Sequence, residues 1–175
     1  MTELSAYAAN IFDLAEKKVD KVFYNSSAEH ASIVHQALVK NAANYVDMLC
    51  GDLCSDITNN PEYCNLLEEF LKKDNKHHIN ILFTDYSDIF NNKPIACVLK
   101  KYPFQVDIKK YDGQITYKNH PVHFTVSDDR AFRLETDIDQ RMAFGNFNSP
   151  SQAGSLRNIF DKVFQSPLAK NVPLC

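Results

Sequence analysis

Glycine is scarce in this chain, with four residues among 175, and tryptophan is missing altogether. Phosphate-cradling loops draw on glycine because the backbone must approach the anion closely, and no G-x-G-x-x-G or G-x-x-x-x-G-K-[S/T] sequence occurs. The nucleophile elbow G-x-S-x-G and the zinc pair H-E-x-x-H are missing too. No apolar run approaches the ~20 residues that cross a bilayer, so no membrane segment is expected. The opening MTELSAYAANIFDLAEKK has no basic stretch followed by an apolar core, which argues against a secretion signal and for a cytoplasmic protein. Positive charge is not in excess: 19 Lys and Arg stand against 22 Asp and Glu, for a net charge of −3. A general nucleic-acid binder usually carries a basic stripe, so net charge does not support nucleic acid or a nucleotide as the partner.

Cysteine is present at Cys50, Cys54, Cys64, Cys97 and Cys175. An odd number at irregular spacing, in a chain long enough to bury its own core, reads as reduced thiols. Cys50 and Cys54 lack the second pair or the histidines that a zinc set needs, so neither metal nor cofactor is expected. An apolar fraction of 45% and a charged fraction of 23% are ordinary globular values, and one domain over residues 1–175 follows.

Leu4, Tyr7, Ile11 and Leu14 recur at helical spacing over residues 3–18, and a short strand follows over 19–24. Ser26 and Glu29 fit a capping box that opens a helix through Ile33, Val34, Ala37 and Leu38. Tyr45–Cys50 reads as a strand. Asn60 and Pro61 read as the N-cap and first turn of a helix ending at Lys72 and Lys73. The apolar run Ile79–Phe83 reads as a central strand, followed by a helix disturbed by Pro94 and a strand over Phe104–Ile108. Short strands around 115–117, 122–126, 131–136 and 142–147 precede a last helix over Pro150–Phe164. The pattern predicts an α/β fold: a mixed, mostly parallel sheet flanked by helices on both faces, with an antiparallel C-terminal extension.

Val122–Thr136 reads as a hairpin whose register the apolar alternation fixes. A three-residue loop over Asp128–Arg130 pairs Val126 with Phe132 and Phe124 with Leu134, and thereby sets His123 opposite Glu135 and Thr125 opposite Arg133. One side of the ribbon is then oily, and the other carries His123, Arg133, Glu135 and Asp137. A carboxylate facing an imidazole raises its pKa and orients it as a base or nucleophile, while a guanidinium can grip a phosphate with two prongs. A solvated sheet face with ordinary cross-strand charge pairs explains the same residues. His30, His35, His77 and His78 read as surface or loop histidines. Asp85 and Asp88 lie past a strand end, where ligands of open α/β sheets often bind, but capping explains them as well.

Three segments, FYNSSAEHASIVHQAL (Phe23–Leu38), VHFTVSDDR (Val122–Arg130) and AFGNFNSPSQA (Ala143–Ala153), together resemble one half of a phospholipase D-like domain. The resemblance spans most of the chain and implies that His123 stands where that family keeps its nucleophilic histidine, with Asn146 and Phe147 in the closing motif. It also implies that an active site joins two such halves, one histidine attacking phosphorus and the other protonating the leaving group. The departures are specific. Thr125 occupies the place of the phosphate-binding lysine, Arg130 that of the aspartate, and Ala143 and Phe144 replace a glycine and a serine. Losing the lysine removes a stabiliser of developing charge, typically worth ~10²–10³ in rate.

The candidate residues are thus His123 and Glu135 for catalysis and Arg133 and Asn146 for phosphate binding. The favoured function is a non-catalytic phospholipase D-like module, a sensor, adaptor or interaction subunit in a bacterial defence or mobile-element setting, paired with a second copy or a protein partner. One alternative is a divergent, metal-independent phosphodiesterase or nuclease working as a homodimer through His123. The other is a small nucleotide- or nucleic-acid-binding domain.

Overall fold

The computed structural model describes residues 2–174; Cys175 therefore lies outside the described residues. Helix α1 spans Glu3–Glu16, capped by Thr2, and is followed by a three-residue strand, β1 (Phe23–Asn25). Helix α2 (Ala28–Lys40) is capped by Ser27, one residue later than expected, its hydroxyl accepting from the His30 amide at 3.1 Å. Strand β2 (Tyr45–Cys50) and helix α3 (Pro61–Lys73) match the sequence pattern, with the Asn60 side chain capping the Tyr63 amide at 2.9 Å. Strand β3 spans His78–Phe83. The expected helix around Pro94 is two pieces: a 3₁₀ turn at Asp88–Asn92 capped by Ser87, and α4 at Pro94–Leu99. Pro94 opens the second piece because it has no amide to donate and its φ is already helical. Strand β4 starts at Val106 and runs to Lys110, leaving Phe104 96% exposed in the turn before it.

After β4 come a small ribbon, β5 (Thr116–Tyr117) and β6 (His120–Pro121), then β7 (His123–Ser127), β8 (Ala131–Asp137) and β9 (Met142–Asn146). Helix α5 (Pro150–Phe164) and a short β10 (Lys170–Asn171) close the chain. The main sheet has eight strands in the order β1-β9-β8-β7-β2-β3-β4-β10. Its β2–β3–β4 run is parallel, and β7, β8 and β9 extend it antiparallel. The sheet is mixed α/β, with helices on both faces as the alternation predicts. β1 crosses to the far edge to pair with β9, with Asn25 opposite Ala143.

Helix α5 covers one face of the sheet, packing Leu156 and Phe160 on Phe124, Phe132 and Leu134. Helices α1 and α2 pack Ile11, Val34 and Leu38 near Phe23 and Phe147, while α3 and α4 cover Met48, Ile81 and Ile108. The β7–β8 turn is tied to the start of β2. The Asp128 carboxylate accepts from the amides of Ala43, Asn44 and Tyr45 at 2.7, 2.8 and 3.2 Å. Arg130 donates to the carbonyls of Phe147 and Asn41 at 2.8 and 3.0 Å. These two anchoring side chains fix the hairpin against the parallel strands.

On the α5 face, Asp47 is buried in β2. One carboxylate oxygen accepts from Asn80 at 2.8 Å, and the other lies 3.7 Å from Arg157 Nε without a hydrogen bond. Burial pushes this carboxyl up to about 6, with Asn80 and Arg157 pulling only partly the other way. A carboxyl raised in the folded state binds its proton more tightly there, so its contribution grows as pH falls through 6 and is lost as pH rises. Between pH 7 and pH 5 the native protein should therefore gain about 1–1.5 kcal/mol over Asp47→Asn, whose residue 47 does not titrate. Urea unfolding of both proteins at the two pH values checks this; parallel changes would refute it.

Candidate functional site

The hairpin register is the one the alternation selects: His123 faces Glu135, Phe124 faces Leu134, Thr125 faces Arg133 and Val126 faces Phe132. Across the sheet, Asn25, Ala143, Glu135 and His123 form one row of partners, and Phe23, Gly145, Arg133, Thr125 and Met48 form the next. This polar side is not a solvated face. Helix α2 and the loop after β2 cover it, and Thr125 and Arg133 are each only 3% exposed.

Burial makes the guanidinium's partners decisive. Arg133 Nε donates to Asn25 Oδ1 at 3.1 Å, and Nη1 donates to Glu135 Oε2 at 2.9 Å. Nη2 is buried and makes no hydrogen bond. Leaving such a donor unpaired costs roughly 1–3 kcal/mol, more for a charged group. The same fork that holds the guanidinium in place thus leaves one donor over.

Arg133 borders a cavity of about 240 Å³ at the carboxyl end of β2, where β2 has β7 on one side and β3 on the other. Its wall includes His35 from α2, Asp52 and Thr58 from the loop after β2, His123, and Arg141 from the β8–β9 turn. Two further wall residues carry buried atoms without hydrogen bonds, His35 Nδ1 and Thr58 Oγ1. Among the described residues six side-chain atoms are buried and unbonded, and three of them belong to this one wall. Two of the others, Asp47 Oδ2 and Arg157 Nε, face each other across 3.7 Å.

Both cavity imidazoles are pushed below the usual histidine pKa. Burial, with Arg133 adding to it, drives His35 down to about 3. For His123, burial lowers the pKa and Arg133 lowers it further, while Glu135 and Asp52 pull upward without prevailing. The expected upward shift from Glu135 is thus outweighed. Nor does Glu135 orient the ring, because its carboxylate is held by Arg133 and no hydrogen bond to the His123 ring forms among the described residues. Gly51 lies against that ring; a Cβ there would stand 3.4 Å from His123 Cε1.

Of the residues picked from the sequence, His123, Arg133 and Glu135 come together at this cavity. Asn146 does not. Its amide donates to Asp20 at 2.7 Å and its carbonyl accepts from the Asn148 amide at 2.8 Å, so it organises the β9–α5 turn. Asp137, beside a β-bulge, caps the Gln140 amide instead of joining the polar row. His35 and His77 are buried, not surface residues; His77 Nδ1 bonds the Phe70 carbonyl at 2.6 Å. Periodicity held a signal for His35, which shares the buried stripe of Ala31, Val34 and Leu38. Thr58, in an irregular loop, had none. No cluster of three His, Cys, Asp or Glu side chains in metal-binding geometry occurs among the described residues, and no helix there is long and apolar enough to cross a membrane.

A family model described as a domain of unknown function, DUF7931, matches residues 27–171. No curated protein matches the chain. Among solved structures, TrmBL2, an archaeal chromatin protein described as showing a novel mode of DNA binding, aligns with a TM-score of 0.63 at 12% identity over 97% of this chain. The chain covers 64% of that protein's length. NucT from Helicobacter pylori aligns with a TM-score of 0.60 at 10% identity, over 88% of this chain and 99% of its own. The shared fold is the phospholipase D-like one that the hairpin and closing segments resemble.

In an NMR titration, His123 should show a pKa below that of a free histidine, and Glu135→Gln should lower it further because the carboxylate is an upward influence. A shift above the free value, or a rise in the variant, would contradict this electrostatic picture.

Proposed function

We propose that this chain, which belongs to the DUF7931 family and has a phospholipase D-like fold, is a non-catalytic module that holds one phosphoryl-type oxyanion in the cavity beside Arg133. The observation that carries the reading is that three residues of this one lining, Arg133, His35 and Thr58, each hold a buried polar atom without a hydrogen bond: Nη2, Nδ1 and Oγ1. Each can donate to an oxyanion oxygen, the imidazole through its Nδ1–H tautomer. Arg133 is already oriented by Asn25 and Glu135, so little side-chain freedom is lost when it binds.

The departures from the family motif support binding over turnover. Thr125 leaves no lysine beside the cavity, and Arg130, in place of the aspartate, serves the hairpin turn. The His123 ring, its pKa lowered by burial, has no orienting acceptor. A sensor or adaptor subunit that reads an anion and passes the signal to a second copy or a protein partner fits these features. A bacterial defence or mobile-element setting, which the resemblance to phospholipase D-like domains suggests, goes with the same reading.

Thr58→Val separates ligand binding from structural support. Removing a buried, unbonded hydroxyl at nearly constant shape should leave stability unchanged or raise it by up to about 1 kcal/mol. Inorganic phosphate, measured by calorimetry, should bind this variant about tenfold more weakly, the loss of one hydrogen bond to a charged ligand. Arg133→Gln should abolish binding, with circular dichroism checking the fold. Unchanged phosphate affinity in a folded Thr58→Val protein would reject the assignment. Hydrolysis of a generic phosphodiester by the wild type, lost in His123→Ala, would instead support the alternative of a phosphodiesterase acting through His123.

A further inference from the structure

A second cavity, of about 180 Å³, opens beside His123. Two side chains, His123 and Ile138, line both it and the cavity that Arg133 borders. The backbone beneath them is joined as well. Cys50 and Gly51 border the first cavity and hold the end of β3. The Thr84 amide and hydroxyl both donate to the Cys50 carbonyl, at 2.9 and 3.2 Å, and the Asp85 amide donates to the Gly51 carbonyl at 3.1 Å. Thr84 in turn lines the second cavity. No strand pairing stands between the two. The β2–β7 ladder ends at Leu49 and Phe124, so His123 lies where these strands have parted, beside Gly51, which has no side chain to close the gap. The cavities thus form one cleft along the carboxyl ends of β2 and β3, the place where open α/β sheets take their ligands.

The two parts of the cleft differ in chemistry. The first carries the guanidinium groups of Arg133 and Arg141. The second holds no Lys, Arg, Asp or Glu among the described residues of its lining. Ile115, Pro121, Val122 and Ile138 make it mainly apolar, and Thr84 and Gln114 add polar groups to that of His123. Ile115 and Val122 are 6% and 2% exposed, and the Val122 amide donates to the Ile115 carbonyl at 3.1 Å, so this wall is fixed. A charged group placed there would lose its hydration and gain no counter-charge. An uncharged alkyl group would gain roughly fourfold in affinity for each methylene taken from water. The reach is short: from Thr125, opposite Arg133, to His123 is two residues along β7, roughly 7 Å. A phosphoryl group at Arg133 and the first carbons of its ester cover that span.

We propose that the second cavity receives the ester substituent of a phosphomonoester, and that the module's ligands are phosphomonoesters of small uncharged alcohols. The phosphoryl group lies at Arg133, and the substituent passes His123 to rest on Ile115, Val122 and Ile138. This assignment depends on the oxyanion reading and adds the ligand class to it. His123 and Ile138, common to both cavities, are then specificity-determining side chains: they shape the saddle that the substituent crosses, and neither transfers a proton.

Calorimetry and methyl NMR on the full chain, with inorganic phosphate, ethyl phosphate, propyl phosphate and propane-1,3-diyl bisphosphate, test it. Propyl phosphate should bind at least about tenfold more tightly than inorganic phosphate, the scale of roughly two buried methylenes, with ethyl phosphate between them. The bisphosphate should gain nothing over propyl phosphate. In the methyl spectrum propyl phosphate should shift Ile115 and Val122, and inorganic phosphate should shift neither. Gln114→Trp, at an exposed position on the rim, should bring propyl phosphate toward the affinity of inorganic phosphate and leave the latter unchanged. Equal affinities for the alkyl ester and phosphate, or tighter binding of the ester with Ile115 and Val122 unmoved, would overturn the second cavity's role and leave the oxyanion site standing. Tighter binding of the bisphosphate than of propyl phosphate would do the same. If neither phosphate nor propyl phosphate binds, both readings fall.

Discussion

A guanidinium buried against the middle of a β-sheet is the constraint from which the rest of this molecule follows. Arg133 sits in β8 under a helix, and a charge in such a place needs partners. Two are supplied, Asn25 from the edge strand and Glu135 two residues on in the same strand. Removing one partner of a buried ion pair typically costs about 3–5 kcal/mol, so this arrangement is not ornamental to the fold. What it leaves over is one charged donor without an acceptor, on a residue that lines the same cavity as His35 and Thr58, which also hold unbonded buried atoms.

Several features of the architecture serve that arrangement. The placement of β1 at the far edge, beyond β9, is what brings Asn25 into the row that ends at His123. The glycine at 145 belongs to the neighbouring row, where an added Cβ would collide with Phe23 and the Phe132 carbonyl, so the strands can close up beside Arg133 only with glycine there. Asp128 and Arg130 clamp the hairpin turn to the start of β2 and the end of β9, which fixes the height of the whole polar row relative to the loop carrying Asp52 and Thr58.

Much of this frame was legible in the residues themselves. Strand β2, helix α3 with its Asn60–Pro61 start, and helix α5 lie where periodicity and capping place them, and the β7–β8 register follows from Val126, Phe132, Phe124 and Leu134 alone. Register is strongly specified where one face is oily, because a slip by one residue exposes it. The other face was not legible in the same way. Alternating polar residues look solvated, and Arg133 is buried by elements far away in sequence, with a partner 108 residues off. Asn146 illustrates the same limit: a partner at Asp20, 126 residues away, turns its side chain to a structural task that no local pattern announces. Thr58 and Asp52 reach the cavity through an irregular loop, which carries no periodic signal.

A crystal structure of the protein grown in phosphate or tungstate tests the central claim most directly. The account predicts an anion in the 240 Å³ cavity, with an oxygen within hydrogen-bonding distance of Arg133 Nη2 and others close to His35 Nδ1 and Thr58 Oγ1. A cavity without the anion, with Arg133 Nη2 turned to an acceptor of the protein itself, would contradict it.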